Sequence, residues 1–148
     1  MLILSVDSTA TPASVCLFDG SIKAEYYIHT RLTHSQTLTA MIESILKVTG
    51  VSVGEIDCYA VNSGPGSFTG VRIGVSAVKG MAYACDKPCV AVSTLESMAY
   101  NCLISDAVVC ACMDARRQQV YNALFRIRGG RAERLCDDRA IGIAELCE

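Results

Sequence analysis

Two short segments hold most of the groups that could do chemistry. Ser63-Gly64-Pro65-Gly66-Ser67-Phe68-Thr69-Gly70 places three glycines and a proline within eight residues and continues into Val71-Arg72-Ile73-Gly74. An apolar run, Cys58-Tyr59-Ala60-Val61, precedes it, and an apolar, small-residue run follows. Strand, glycine turn and helix start together present backbone N–H groups at a helix N-terminus, a setting that suits an anion or a closely packed partner. The same glycines also fit a tight strand-to-helix turn used for packing alone. The second segment, Asp7-Ser8-Thr9, closes the first apolar run with a carboxylate and two hydroxyls. Such a loop can donate hydroxyl and backbone hydrogen bonds to a phosphate; an aspartate ending a strand is equally a turn former.

Other chemistries lack their residues. The only histidines, His29 and His34, lie five residues apart with no cysteine at ligand spacing, so capping or interface hydrogen bonding is expected of His34 and no metal site is expected. No Ser–His–Asp or Cys–His grouping singles out a nucleophile, and proteolysis is not expected. Asp114-Ala115-Arg116, followed by Val120-Tyr121, reads as a hairpin start whose Asp–Arg pair is either a structural salt bridge or part of a surface facing the lobe cleft.

The elements that must position these residues follow from periodicity. Residues 2–6 form a nearly all-apolar run, as in a strand covered on both faces. Strands at 14–18 and 21–28 flank the hairpin signal Asp19-Gly20. Thr33 with Gln36 fits a capping box, and Leu38, Met41, Ile42, Ile45 and Leu46 keep helical period up to Gly50. A strand at 56–61 leads into the glycine motif and a helix at 70–85, which is apolar or small almost all round. A helix without a clear polar face needs a second partner. Glycine costs about 1 kcal/mol relative to alanine inside a helix, so Gly70, Gly74 and Gly80 imply close approach of another backbone. A strand at 89–92 and a short helix at 94–101 follow. The plan then restarts with strands at 107–114 and 119–127, a third near 132–136, and a last apolar segment at 143–147.

Composition bounds the answer. The chain's 148 residues allow one domain, or one lobe and part of a second, and 51% hydrophobic content with no tryptophan calls for an aliphatic core. A net charge of −2 without a dense basic cluster argues against this chain gripping nucleic acid alone. Arg126, Arg128, Arg131 and Arg134 are diluted by Glu133, Asp137 and Asp138, as on a solvated hairpin. The nine cysteines are dispersed, odd in number and without a C-x-x-C pair, so buried reduced thiols and a cytoplasmic location are expected. The first residues lack a basic region before Asp7, and neither a signal peptide nor a membrane span is expected.

The wording G-P-G-S-F-T-G-x-R-x-G from Gly64 to Gly74 resembles the signature of the TsaB (YeaZ) family. The order β-β-β-α-β-α-β-α resembles the ribonuclease-H-like lobe of the actin and heat-shock-chaperone ATPase (ASKHA) superfamily. The resemblance covers nearly all of residues 1–103, and it implies an α/β fold with a mixed five-stranded sheet. Residues 104–148 are then a partial second lobe, shorter than in family members, the chain being either truncated or naturally short. The resemblance further implies a non-catalytic subunit that pairs with a TsaD-type paralogue in tRNA threonylcarbamoyladenosine synthesis. Through TsaD it would meet a TsaE-type ATPase, it would reach tRNA only within the complex, and it would form a homodimer in TsaD's absence. TsaD carries a His-x-x-x-His metal pair on the helix after the fifth strand; here Thr94 and Met98 stand in those places. Carried onto the two helices, the family's interface falls on Ser35, Leu38, Thr39, Ile42, Arg72, Val75, Ser76 and Lys79. No cofactor is expected, although a nucleotide near the interface would meet Asp7, Ser8, Thr9, Gly64, Gly66 and Ser67. The alternative is an independent ASKHA-type ATPase or small-molecule kinase using Asp7, Ser8, Thr9 and the glycine loop, but the first loop has no glycine. Relatives have carried the label glycoprotease, for which the residues offer nothing.

Overall fold

Alternation of aliphatic residues builds the first sheet. In the computed structural model, which describes residues 1–102 and 106–147, β1 (Ile3–Asp7) is central. On one side it pairs antiparallel with β2 (Ala13–Phe18), which pairs antiparallel with β3 (Ile22–Ile28). On the other it pairs parallel with β4 (Cys58–Asn62), and β4 with β5 (Cys89–Val92). The order β3-β2-β1-β4-β5 is the mixed five-stranded sheet expected. Its register aligns Leu17, Leu4 and Tyr59 in one row and Val15, Val6 and Val61 in the next, and all six side chains are buried. Burial on β1 alternates, however, with Ile3, Ser5 and Asp7 only half-buried. The expectation of a strand covered on both faces is therefore corrected to one covered fully on a single face, because the two long helices share that face.

Those helices are α1 (His34–Thr49) and α2 (Phe68–Ala84). Gln36 accepts the Thr33 backbone N–H at 3.1 Å, and Gly50, at φ 69°, ends α1 in the left-handed conformation with its N–H on Leu46 and Lys47 carbonyls. The i, i+3, i+4 residues Leu38, Met41, Ile42, Ile45 and Leu46 face the sheet. Tyr59 is fully buried among them, its hydroxyl donating to the Val53 carbonyl at 2.9 Å. Val53–Glu55 is a single 3-10 turn before β4.

The chain divides into two compact units, Met1–Ser63 with Ser67–Val92, and Gly64–Gly66 with Ser93–Glu148. The boundary expected between residues 103 and 104 falls outside the described residues. The short helix α3 (Thr94–Tyr100), expected within the first lobe, belongs to the second unit. Its Leu95 and Ala99 are four residues apart and pack with Ala111, Ala123, Phe125 and Ile127 on one face of a second sheet. That sheet joins β6 (Ala107–Arg116) and β7 (Gln119–Arg128) as an antiparallel hairpin. β7 then pairs with β8 (Arg131–Arg134) near its end and with β9 (Arg139–Gly142) near its start. The turn between β6 and β7 runs through Arg116, Arg117 and Gln118 at φ 67°, 52° and 61°. A four-residue helix, α4 (Ile143–Leu146), follows β9.

Cys58 alone among the nine free cysteines is buried; Cys89, Cys110 and Cys147 are exposed and the rest lie between. The expectation of buried thiols is corrected for Cys89 on β5, Cys110 on β6 and Cys147 after α4, which face outward. The basic hairpin also differs from expectation at Arg134. Its guanidinium stacks 4.8 Å from the Phe125 ring and pairs with Asp138 at 2.5 Å and Glu96 at 3.6 Å, whereas Arg126, Arg128 and Arg131 are exposed.

Leu38 is 1% exposed and Ile42 5%. Leu38→Ala is expected to cost about 2–5 kcal/mol of stability, as for other buried leucines, read from the midpoint of urea unfolding at unchanged slope.

Candidate functional site

The glycine motif and the first turn meet through backbone. Ser67 caps α2 by accepting the Gly70 N–H at 3.3 Å, while its own N–H donates to the Thr9 carbonyl at 2.6 Å. Ser8 Oγ donates to the Gly70 carbonyl at 2.8 Å. A Cβ added at Gly70 would stand 2.1 Å from the Ser8 carbonyl oxygen, and one at Gly74 2.4 Å from Ser8 Oγ. Only hydrogen fits at either place. Gly80, by contrast, has open space where its Cβ would be. Close approach of the β1–β2 turn of this same chain accounts for both: the obstacle is the Ser8 backbone at Gly70 and the Ser8 side chain at Gly74.

The turn itself is tied. Asp7 Oδ1 accepts from the Thr9 N–H at 2.8 Å and from Thr9 Oγ1 at 2.7 Å, and Ser8 and Thr9 are buried. His34, first residue of α1, holds the Ala10 carbonyl through Nε2 at 2.8 Å, so it braces the turn rather than capping its helix. Of the six positions named for a nucleotide, Asp7, Ser8, Thr9 and Ser67 come together in the first unit. Gly64 and Gly66 belong to the second unit, where the Gly64 carbonyl accepts the Thr94 N–H at 2.9 Å; the Gly64–Pro65 peptide is cis. Asp114 repeats the Asp7 device, its Oδ1 accepting the Arg116 N–H at 2.7 Å. The Asp–Arg pair is thus a side-chain-to-backbone turn and not a salt bridge.

Thr94 and Met98 occupy the first and second turns of α3. Thr94 is buried and Met98 partly exposed. Among the described residues, no group of three or more His, Cys, Asp or Glu is placed to hold a metal.

The helix faces sort the candidate interface residues. Leu38 and Ile42 point into the core, so their assignment to a partner surface is corrected; they sit on the sheet-facing side of α1. Ser35 and Thr39 on α1, and Arg72, Ser76 and Lys79 on α2, are exposed, while Val75 is half-buried. The structure adds residues that the sequence reading missed. Phe68 is 74% exposed and Tyr83 90%. With Arg72, Ser76 and Gly80 between them they make one stripe along α2, at steps of four and three residues. Arg72 lies 5.0 Å over the Phe68 ring. The sequence signal is the 68, 72, 76, 80 spacing, which the glycine motif masks because it places Phe68 in the loop before a helix that in fact begins there.

Gly70→Ala is expected to unfold or strongly destabilise the first unit, because the obstructing atom is backbone. Gly80→Ala should leave stability unchanged or raise it by up to about 1 kcal/mol. Thermal melts of the two variants, followed by circular dichroism, make the comparison.

A family model for TsaD, tRNA N6-adenosine threonylcarbamoyltransferase, matches residues 29–148. The Bacillus subtilis (strain 168) tRNA threonylcarbamoyladenosine biosynthesis protein TsaB is 33% identical over 149 residues, covering 100% of this chain and 65% of the relative. Its namesake from Escherichia coli (strain K12) is 37% identical over 129 residues, covering 85% and 55%. This chain thus spans less than two thirds of the length of either relative. YeaZ from Pseudomonas aeruginosa superposes with a TM-score of 0.86 at 29% identity, over 95% of this chain and 66% of that one. The Lmo2764 protein of Listeria monocytogenes, at a TM-score of 0.53 and 12% identity, shares the fold alone over 89% of this chain and 49% of its own. A mixed five-stranded sheet carrying two long helices on one face, a family-model match over residues 29–148 and similarity to TsaB over the whole of this chain lead to one assignment: the chain belongs to the TsaD family, and within it to the TsaB (YeaZ) proteins.

Proposed function

We propose that this chain is the non-catalytic partner subunit of a TsaD-type protein in tRNA threonylcarbamoyladenosine synthesis, and that it docks through the outer faces of α1 and α2. The observation that carries the reading is the α2 stripe, in which Phe68 and Tyr83 flank the small residues Ser76 and Gly80. Small residues let a second helix approach closely, and exposed aromatics at the ends serve as anchors in its grooves. Arg72, Lys79 and half-buried Val75 border the stripe, with Ser35 and Thr39 on the neighbouring helix. Leu38 and Ile42 contribute from beneath, by holding α1 on the sheet.

The non-catalytic role rests on Thr94 and Met98, which offer a metal neither imidazole nor carboxylate. The subunit then acts by stabilising and orienting TsaD, with tRNA and a TsaE-type ATPase reached only through it. No helix among the described residues is long and apolar enough to cross a membrane, and the cytoplasm, where tRNA is modified, is the compartment this role requires. The reading as an independent ATPase or kinase is not favoured, since Ser8 and Thr9 already spend their hydroxyls within the fold.

Light scattering of the chain alone, then mixed with the TsaD of the same organism, tests the proposal. A homodimer giving way to a one-to-one heterodimer is expected. Ser76→Arg with Gly80→Leu should weaken association at least ~30-fold, the size of a hot-spot loss, without lowering the melting temperature. A monomer indifferent to TsaD would overturn the reading.

A further inference from the structure

Cys110 and Cys112 stand two residues apart on β6, so both side chains leave the same face of the second sheet. Their sulfurs are 3.4 Å apart. Across the ladder, Asn122 of β7 pairs with Cys112. Asn122 is 0% exposed, and its Nδ2 lies 2.8 Å from Cys110 Sγ and 3.6 Å from Cys112 Sγ. The next strand fixes that orientation. Arg139 of β9 pairs in register with Asn122, and its Nε and Nη2 both donate to Asn122 Oδ1, the Nε at 3.1 Å. A guanidinium only donates, so the amide oxygen must face it and the amide N–H groups must face the sulfurs.

We propose that Cys110 and Cys112 form a two-thiolate site for a soft monovalent metal ion, Cu(I). Thiolates select soft ions, and a tetrahedral zinc site needs four ligands, while among the described residues no third His, Cys, Asp or Glu joins this pair. Two thiols and one Cu(I) give a bis-thiolate complex of charge −1 and release two protons. The Asn122 N–H groups and the Arg139 cation offset that negative charge, acting as an outer shell that orients the ligands. Because the ligands bind as thiolates, the metal displaces their protons and binding strengthens as pH rises.

Anaerobic competition of the reduced chain against the Cu(I) chelator bicinchoninate tests the site. One tight equivalent is expected. It is lost in Cys110→Ser and separately in Cys112→Ser, and kept in a Cys89→Ser/Cys147→Ser variant that removes the other exposed thiols. Affinity should rise about 100-fold per pH unit, since two protons leave per metal. Arg139→Gln should keep the stoichiometry and weaken binding about 10-fold. An equivalent that survives Cys110→Ser, or Cu(I) left wholly with the chelator, overturns the proposal. Should Cys112→Ser fail to fold, Cys110→Ser at its exposed position still decides.

Discussion

The contact on which the first unit depends is the approach of α2 to the β1–β2 turn at Gly70 and Gly74. At Gly70 the helix backbone meets the turn backbone directly, and at Gly74 it meets the Ser8 hydroxyl. The Ser8 hydroxyl bonds the Gly70 carbonyl and the Ser67 N–H bonds the Thr9 carbonyl, so the glycine surfaces are clamped as well as close. His34 braces the same turn from α1. Two helices and the first strand are thereby tied at one point, near the N-terminal ends of both helices.

That clamp decides which helix faces remain outside. With Gly70, Gly74, Val78 and Ala82 turned inward, the residues on the far side of α2 are Phe68, Arg72, Ser76, Gly80 and Tyr83. The inward stripe is narrow because its residues are small, which brings the helix axis close to the sheet. Val71, Ile73, Val75, Ala77 and Met81 then lie at the flanks, half-covered. An outer face poor in charge is the result. The inward glycines give that face its position.

Much of this was legible beforehand because local chemistry and tertiary packing agreed. The capping pair Thr33 and Gln36, the left-handed Gly50 and the strict period of Leu38 to Leu46 all describe α1 as it stands. The mixed five-stranded sheet followed from the family likeness, whereas the spatial order of its strands had no signal in the sequence. Facing was harder. Leu38 and Ile42 belong to the periodic stripe that any amphipathic helix buries, and their placement on a partner surface overrode that simpler rule. α2 has small or apolar residues on every side, so its inward face could be found only by knowing what Ser8 touches. α3 looked like the close of the first lobe, yet Leu95 and Ala99 find their apolar neighbours on strands that come later. β9 left no strong signal, for Arg139–Gly142 is short and alternates weakly. The thiols were read by composition, which cannot tell one strand face from the other.

The β6–β7 hairpin bears on what holds a loop in shape. Its turn carries three successive left-handed residues, none of them glycine, and each L-residue in that conformation costs about 1–2 kcal/mol. The pairing of Val109 with Phe125 and of Ala111 with Ala123, joined by Leu95 and Ala99, offsets that cost. The shape of the loop is thus held by the apolar cluster of the second unit rather than by the preferences of the loop's own residues.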